Sequence, residues 1–324
     1  MKALQDALAD FLAYMETVLP EPSPKELYDP VHYIMNLGGK RIRPVLALWA
    51  CEAIDGSSQK ALAAAMAVEA FHNFSLIHDD IMDDAPLRRG KETVHEKWDA
   101  NAGILSGDVL LVCAYQYLET YEGTIFKAMT STFSLTARWV CEGQQMDMNF
   151  PQQQNVTLPE YIKMITNKTA VLIGASLKMG ALAAGASLEK SALFFEFGKN
   201  MGIAFQLQDD YLDAFGDPKT FGKQVGGDII ENKKTYLYLA ALSLLNTQEA
   251  KSLERLFQEQ PQDPTEKIQT VKSLFEQSGA TTAIQTEMER YLDRAFSALD
   301  QLELSSEHHS RFKELAHFLT QRQV

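Results

Sequence analysis

The chain writes the pattern Asp-Asp-x-x-Asp twice, as Asp79-Asp80-Ile81-Met82-Asp83 and as Asp209-Asp210-Tyr211-Leu212-Asp213, 130 residues apart. Each copy interrupts apolar sequence, Phe74 to His78 before the first and Ile203 to Leu207 before the second, so neither reads as a solvated acidic patch. On an α-helix, positions i and i+4 share a face. At 100° per residue, Asp79 and Asp83 stand about 40° apart and Asp80 about 100° from Asp79, so each motif aims three carboxylates into one sector. Crowded carboxylates in apolar surroundings must take up protons or bind a hard divalent cation through their oxygens. Two such clusters imply several Mg²⁺ ions. A single cluster of this kind is usually a solvated helix face. The second copy argues against that, and a calcium loop is disfavoured because the alternation and central glycine it needs are missing.

Mg²⁺ binds through one or two carboxylates plus substrate phosphates rather than in an all-protein cage. The basic residues fit a polyphosphate. They fall in Gly38-Gly39-Lys40-Arg41-Ile42-Arg43-Pro44, in Arg88-Arg89 just after the first motif, at Lys168, and in the run from Gly222-Lys223 to Lys233-Lys234. Arginine forks match phosphate oxygens bidentately and lysine adds a mobile point charge. In a chain of formal net charge −13 these groups are local exceptions. That balance argues against a nucleic-acid partner and for a local anion pocket.

Apolar spacing is helical nearly throughout. Ala3-Leu4, Leu8, Phe11-Leu12 and Met15 recur at three and four, as do Ala61-Leu62, Ala65-Met66 and Val68 before the first motif. The stretches 161–186 and 236–246 read as buried helices, with breakers at 20–24, 38–39, 86–90, 151–159, 216–227 and 260–264. Strand signals are scarce and no breaker resembles an interdomain linker, so the expectation is one all-α domain over residues 1–324, a helical bundle around a central cavity. With 46% hydrophobic residues the chain can bury a sizeable core. No uncharged apolar stretch reaches the roughly 20 residues of a membrane span, and no signal-peptide layout is present. A soluble, cytoplasmic protein is expected, with Cys51, Cys113 and Cys141 as packed thiols.

From Gly38 to about Thr235 the chain resembles the trans-isoprenyl diphosphate synthases, in an ordered set of motifs. These are Gly39-Lys40 with Arg43-Pro44, the first aspartate motif with Leu87-Arg88-Arg89-Gly90, Gly107-Asp108, Gly143-Gln144-x-x-Asp147, Lys168-Thr169, Phe205-Gln206 before the second aspartate motif, Gly222-Lys223, Asp228, and Lys233-x-Thr235. The resemblance implies an isoprenoid-synthase-type fold and a reaction that joins isopentenyl diphosphate to an allylic diphosphate. Asp79, Asp80, Asp83, Arg88, Lys168, Asp209, Asp210 and Lys223 are the implied catalytic residues, and the resemblance implies three Mg²⁺ ions per active site with Asp79, Asp83 and Asp209 as ligands. Isopentenyl diphosphate would sit on Lys40, Arg43, His72 and Arg89, and the allylic partner would use Arg88, Lys168, Thr169, Gln206, Lys223 and Lys233. His72 stands seven residues before Asp79 and about 20° from it on the helix, which lets it face the same way. His78 lies on another face.

The same resemblance addresses product length and assembly. An aromatic five residues before the first aspartate, Phe74, with a small Ser75 at the fourth, goes in the family with geranylgeranyl products, whereas two aromatics go with farnesyl. A short-chain C15 to C20 synthase is expected, and a homodimer with residues 105–119 as a contact face. The competing readings are a medium- or long-chain synthase, a terpene cyclase, whose second motif would differ from Asp209–Asp213, and a subunit of a heteromeric synthase, which would have lost an aspartate motif or its arginines.

Overall fold

Alanine, leucine and methionine at three- and four-residue spacing build helices, and the computed structural model, which describes residues 2–20, 23–217 and 225–320, is all-α apart from one short hairpin. The helices are α1 (Lys2–Val18), α2 (Lys25–Asn36), α3 (Ile42–Asp55), α4 (Leu62–Met82), α5 (Val94–Lys97), α6 (Ala100–Leu118), α7 (Gly123–Asn149) and α8 (Leu158–Ile165). They continue with α9 (Val171–Ala183), α10 (Leu188–Phe215), α11 (Gly227–Ile230), α12 (Tyr236–Leu244), α13 (Thr247–Leu256), α14 (Thr265–Ser278), α15 (Ala280–Asp300) and α16 (Ser306–Thr320). The hairpin pairs β1 (Leu87–Arg88) with β2 (Lys91–Glu92), in antiparallel register Leu87 with Glu92 and Arg88 with Lys91. The apolar stretch 161–186 is not one helix. A π-helical turn, Thr166–Ala170, separates α8 from α9.

The chain divides into two compact units, one of residues 1–137 and 172–195, the other of residues 138–171 and 196–324. In the first, α4 is the central element and all of Leu62–Phe71 is buried. It packs on α3 and α6. Close approach to α6 depends on small residues there: a Cβ on Gly107 would lie 2.6 Å from Cδ2 of His78, far inside van der Waals contact. The start of α6 is capped by Asp99, whose side chain accepts from the Ala102 N–H at 2.8 Å.

In the second unit, α8 begins with a reciprocal capping box between Thr157 and Glu160. Helix α12 is buried from Tyr236 to Ala241 and packs on α14 and α15. Phe197 on α10 meets Phe312 on α16 edge-on, ring centroids 5.7 Å apart. One expectation fails here. Cys51 and Cys113 are buried thiols, but Cys141 is exposed, because on α7 it falls on the polar side that also carries Arg138 and Glu142. Among the described residues no helix is long and apolar enough to cross a membrane.

Candidate active site

The first unit carries a cluster of cations built around a glycine corner. Gly38 and Gly39 adopt φ of 85° and 122°, and a Cβ on Gly39 would sit 2.8 Å from Cζ of Arg89, whose guanidinium donates to the Gly38 carbonyl. Two residues on, Arg41 turns inward at φ 47°, pairs with the buried Glu69 and donates to the Met35 carbonyl. Arg43, on the first turn of α3, places Nη1 3.1 Å from Nε2 of His72, while its own Nε is buried with no hydrogen-bond partner. Burial, then Arg43, Arg89, Arg88 and Arg41, push the His72 ring well below the usual histidine range, so it is neutral at pH 7 and can accept from Arg43. Arg43 is itself lowered by burial and by Arg89. Glu69 pairs with Arg41 and also offsets Arg43 and Arg89, which otherwise face like charges. Lys40 is exposed next to them in sequence. Glu69 was missed in the sequence, although a lone carboxylate inside an apolar helix was a signal.

The carboxylates of the first motif do not behave alike. Asp79 is half-buried on α4, Asp80 is buried, and Asp83 is exposed at the cap that ends the helix. Arg88, on β1, brings Nε to 2.8 Å from both Asp80 oxygens and Nη2 to 2.6 Å from Oδ1, and also reaches Oδ2 of Asp79 at 3.3 Å. Burial holds the Asp80 carboxyl above its usual range, and Arg88 offsets only part of that rise. His78 faces α6, with Nε2 3.2 Å from the Ile104 carbonyl. Phe74 is buried, its ring 5.4 Å from Phe71 and 4.8 Å from His78, and Ser75 is half-buried with Oγ donating to the His72 carbonyl at 2.8 Å.

The second motif, in the other unit, repeats that division of labour with different partners. Asp210 is buried; the Tyr161 hydroxyl donates to Oδ2, and Gln206 Nε2 donates to Oδ1 at 3.2 Å. Burial and then Asp228 drive its carboxyl well above the usual range, against those two hydrogen bonds. Asp209 and Asp213 are half-buried, and Asp213 accepts from the Asp228 N–H at 3.0 Å. Thr169 donates to Gln206 Oε1 at 3.3 Å, so Gln206 bridges Thr169 and Asp210. Lys168 reaches Asp147 at 2.6 Å from the π turn. Gly143 admits that turn: a Cβ there would be 2.8 Å from Cα of Lys168. Lys233 pairs with Glu231 at 2.7 Å and lies 3.7 Å from Asp228. Lys234 instead ties down carbonyls of Phe150 and Gln153. Lys223 lies outside the described residues. Tyr161, which fixes Asp210, carried no signal in the sequence.

A family model, polyprenyl synthetase, matches residues 24–275. The chain belongs to that family. A geranylgeranyl diphosphate synthase of Methanosarcina mazei is 41% identical over 232 residues, covering 71% of each chain. A short chain isoprenyl diphosphate synthase of Methanothermobacter thermautotrophicus is 36% identical over 304 residues, 93% of this chain and 92% of the relative. Among solved structures, a geranylgeranyl pyrophosphate synthase aligns over 99% of both chains at 46% identity with a TM-score of 0.95.

The donor chemistry in this polyprenyl synthetase fits Mg²⁺. Asp79, Asp83 and Asp209 present hard oxygens on half-buried or exposed side chains, where an ion can keep water, whereas Asp80 and Asp210 are buried and occupied by Arg88 and by Tyr161 with Gln206. Among the described residues neither motif by itself gathers three ligand groups within coordinating distance of one another. That suits an ion whose coordination is completed by substrate phosphate and water.

Proposed function

We propose that the chain is a Mg²⁺-dependent trans-prenyltransferase that condenses isopentenyl diphosphate with an allylic diphosphate, residues 1–324 acting as one functional domain in the cytoplasm. Family membership and relatives named as short-chain synthases make it a short-chain prenyltransferase rather than a cyclase or a long-chain enzyme. The observation that carries the substrate assignment is the cluster of Arg43, neutral His72 and Arg89, whose two guanidinium charges and unpartnered Arg43 Nε favour a diphosphate. Isopentenyl diphosphate sits there, with Lys40 reaching from the exposed edge.

Asp79, Asp83 and Asp209 would hold Mg²⁺, three ions per site, which when bound would supply positive charge to the departing allylic diphosphate. Arg88 adds a fork held by Asp80, so Asp80 positions a cation rather than ligating metal. Lys168, Lys223 and Lys233 neutralise the same leaving group. Thr169 and Gln206 turn oxygens toward the allylic carbon, their orientation held through Asp210 and Tyr161. Binding both substrates makes the carbon–carbon step effectively intramolecular. Phe74 limits the growing chain to C15 to C20, the geranylgeranyl length favoured.

Asp79→Ala and Asp209→Ala are each expected to lower turnover by orders of magnitude with helix content unchanged. Near-wild-type turnover in either folded variant removes the proposal. Turnover by the purified chain alone separates a complete enzyme from a partner-dependent subunit, which shows none.

A further inference from the structure

The hairpin that follows the first aspartate motif gathers a second group of side chains able to ligate a cation. Helix α4 stops at Met82, Asp83 caps it, and Asp84 takes up φ 49°, a left-handed turn that redirects the chain. Ala85 N–H bonds back to the Asp80 carbonyl at 2.9 Å, and Thr93 N–H to the Pro86 carbonyl at 3.2 Å, so with the β1–β2 register the chain from 93 onward is folded back against its start. The result brings together one carboxylate oxygen of Asp84, one ring nitrogen of His95 and one carboxylate oxygen of Glu96, all within 4.8 Å of one another. Among the described residues it is the one group of three such side chains this close.

His95 makes this more than an acidic surface. Its side chain is only 9% exposed, yet both ring nitrogens are buried without a hydrogen-bond partner, and the Glu96 oxygen stands 3.8 Å from Nε2, beyond hydrogen-bond reach. An unsatisfied buried polar group costs about 1–3 kcal/mol, and a native fold rarely keeps one without use for it. Asp84 and Glu96 are exposed, so their carboxylates can close on an ion by side-chain rotation while the buried imidazole stays as a fixed anchor.

We infer that Asp84, His95 and Glu96 bind a divalent cation of the zinc, cobalt or manganese class, separately from the Mg²⁺ ligands of the aspartate motifs. One imidazole nitrogen with two carboxylate oxygens is a donor set that suits these ions, whereas Mg²⁺ prefers oxygen alone. Three protein ligands leave the remaining positions to water. The ion joins the start and the end of the hairpin that carries Arg88 and Arg89, and so orders the loop on which both guanidinium groups depend.

The test uses the full chain stripped of metal, with Co²⁺ titrated in excess Mg²⁺ so that the oxygen-only sites are filled. One equivalent of Co²⁺ should bind with visible d–d absorption and be displaced by Zn²⁺. Asp84→Asn and Glu96→Gln, both at exposed positions, should each weaken binding by about tenfold or more with unchanged circular dichroism. His95→Ala should abolish the signal, and because that side chain is buried the two exposed variants decide the matter if it fails to fold. Asp79→Asn should leave Co²⁺ affinity unchanged. The inference is overturned by absence of saturable Co²⁺ binding in Mg²⁺, by binding that survives Asp84→Asn and Glu96→Gln at full affinity, or by binding lost in Asp79→Asn instead.

Discussion

Single residues within one motif do different work, and burial decides which. Asp80 and Asp210 are the middle carboxylates of two identical patterns, and each is buried and held by a neighbour, Arg88 in one case and Tyr161 in the other. Removing one partner of a buried ion pair leaves the other uncompensated, at a cost of about 3–5 kcal/mol. Among the cations, Arg43→Ala should mainly raise the KM for isopentenyl diphosphate, and Lys168→Ala that for the allylic partner. Equal weakening of both substrates in the two variants would contradict the assignment. His72 also predicts a pH effect. Its folded pKa lies well below the unfolded value of about 6.5, so the unfolded chain binds the extra proton first as the pH falls. The stability conferred by the neutral ring is whole above about pH 6.5 and is lost as acid carries the pH through the lowered folded value. His72→Gln, which removes that titration, should flatten the fall of Tm between about pH 7 and pH 5. Identical pH slopes in the two proteins would show that another group is responsible.

At the scale of elements, one local irregularity shapes the candidate site. The π turn between α8 and α9 carries Lys168 and Thr169, and such turns inside helical runs are frequent at functional sites. It lies against Gly143 so closely that Gly143→Ala must push backbone, not a flexible side chain. The substitution should cost about 1–3 kcal/mol in denaturant unfolding and displace Lys168, with turnover falling further than stability alone explains. Wild-type stability in that variant would mean the two segments can separate freely. On α4, the buried Phe74 contacts Phe71, which in turn meets Phe133 edge-on at 5.4 Å. If this aromatic group stops the prenyl chain, Phe74→Ala should lengthen the product and Ser75→Phe should shorten it. Chromatography showing one unchanged distribution for both variants would reduce Phe74 to a core aromatic.

For the molecule as a whole, the surface points to self-association. Leu105 and Val112 stand two turns apart on α6, 60% and 55% exposed, with Ile104 beside them at 44%. Large apolar side chains grouped on one helix are a feature of interaction surfaces. A homodimer through this face is the expectation, and sedimentation should give twice the monomer mass. Leu105→Asp combined with Val112→Asp should shift the protein to monomer. A monomeric wild type at working concentration would refute it.

Much of this was legible in the linear chain. Three-and-four apolar spacing determined an all-α fold because the period of a helix is a local property, and the repeated aspartates with Lys40, Arg43, Arg88 and Lys168 marked metal and phosphate chemistry because charge in apolar sequence needs a partner. What spacing could not reveal is which partner each charge meets. A helical wheel aims Asp79, Asp80 and Asp83 into one sector, but Arg88 arrives from a separate hairpin and captures Asp80. Likewise Tyr161 reaches Asp210 across 49 residues of chain, Glu69 meets Arg41 across 28, and His95 comes within 4.8 Å of Asp84 through a hairpin whose turns use the left-handed Asp84, Arg89 and Gly90. Those pairings depend on how elements are packed and where a π turn shifts the register. They were decided only by tertiary structure.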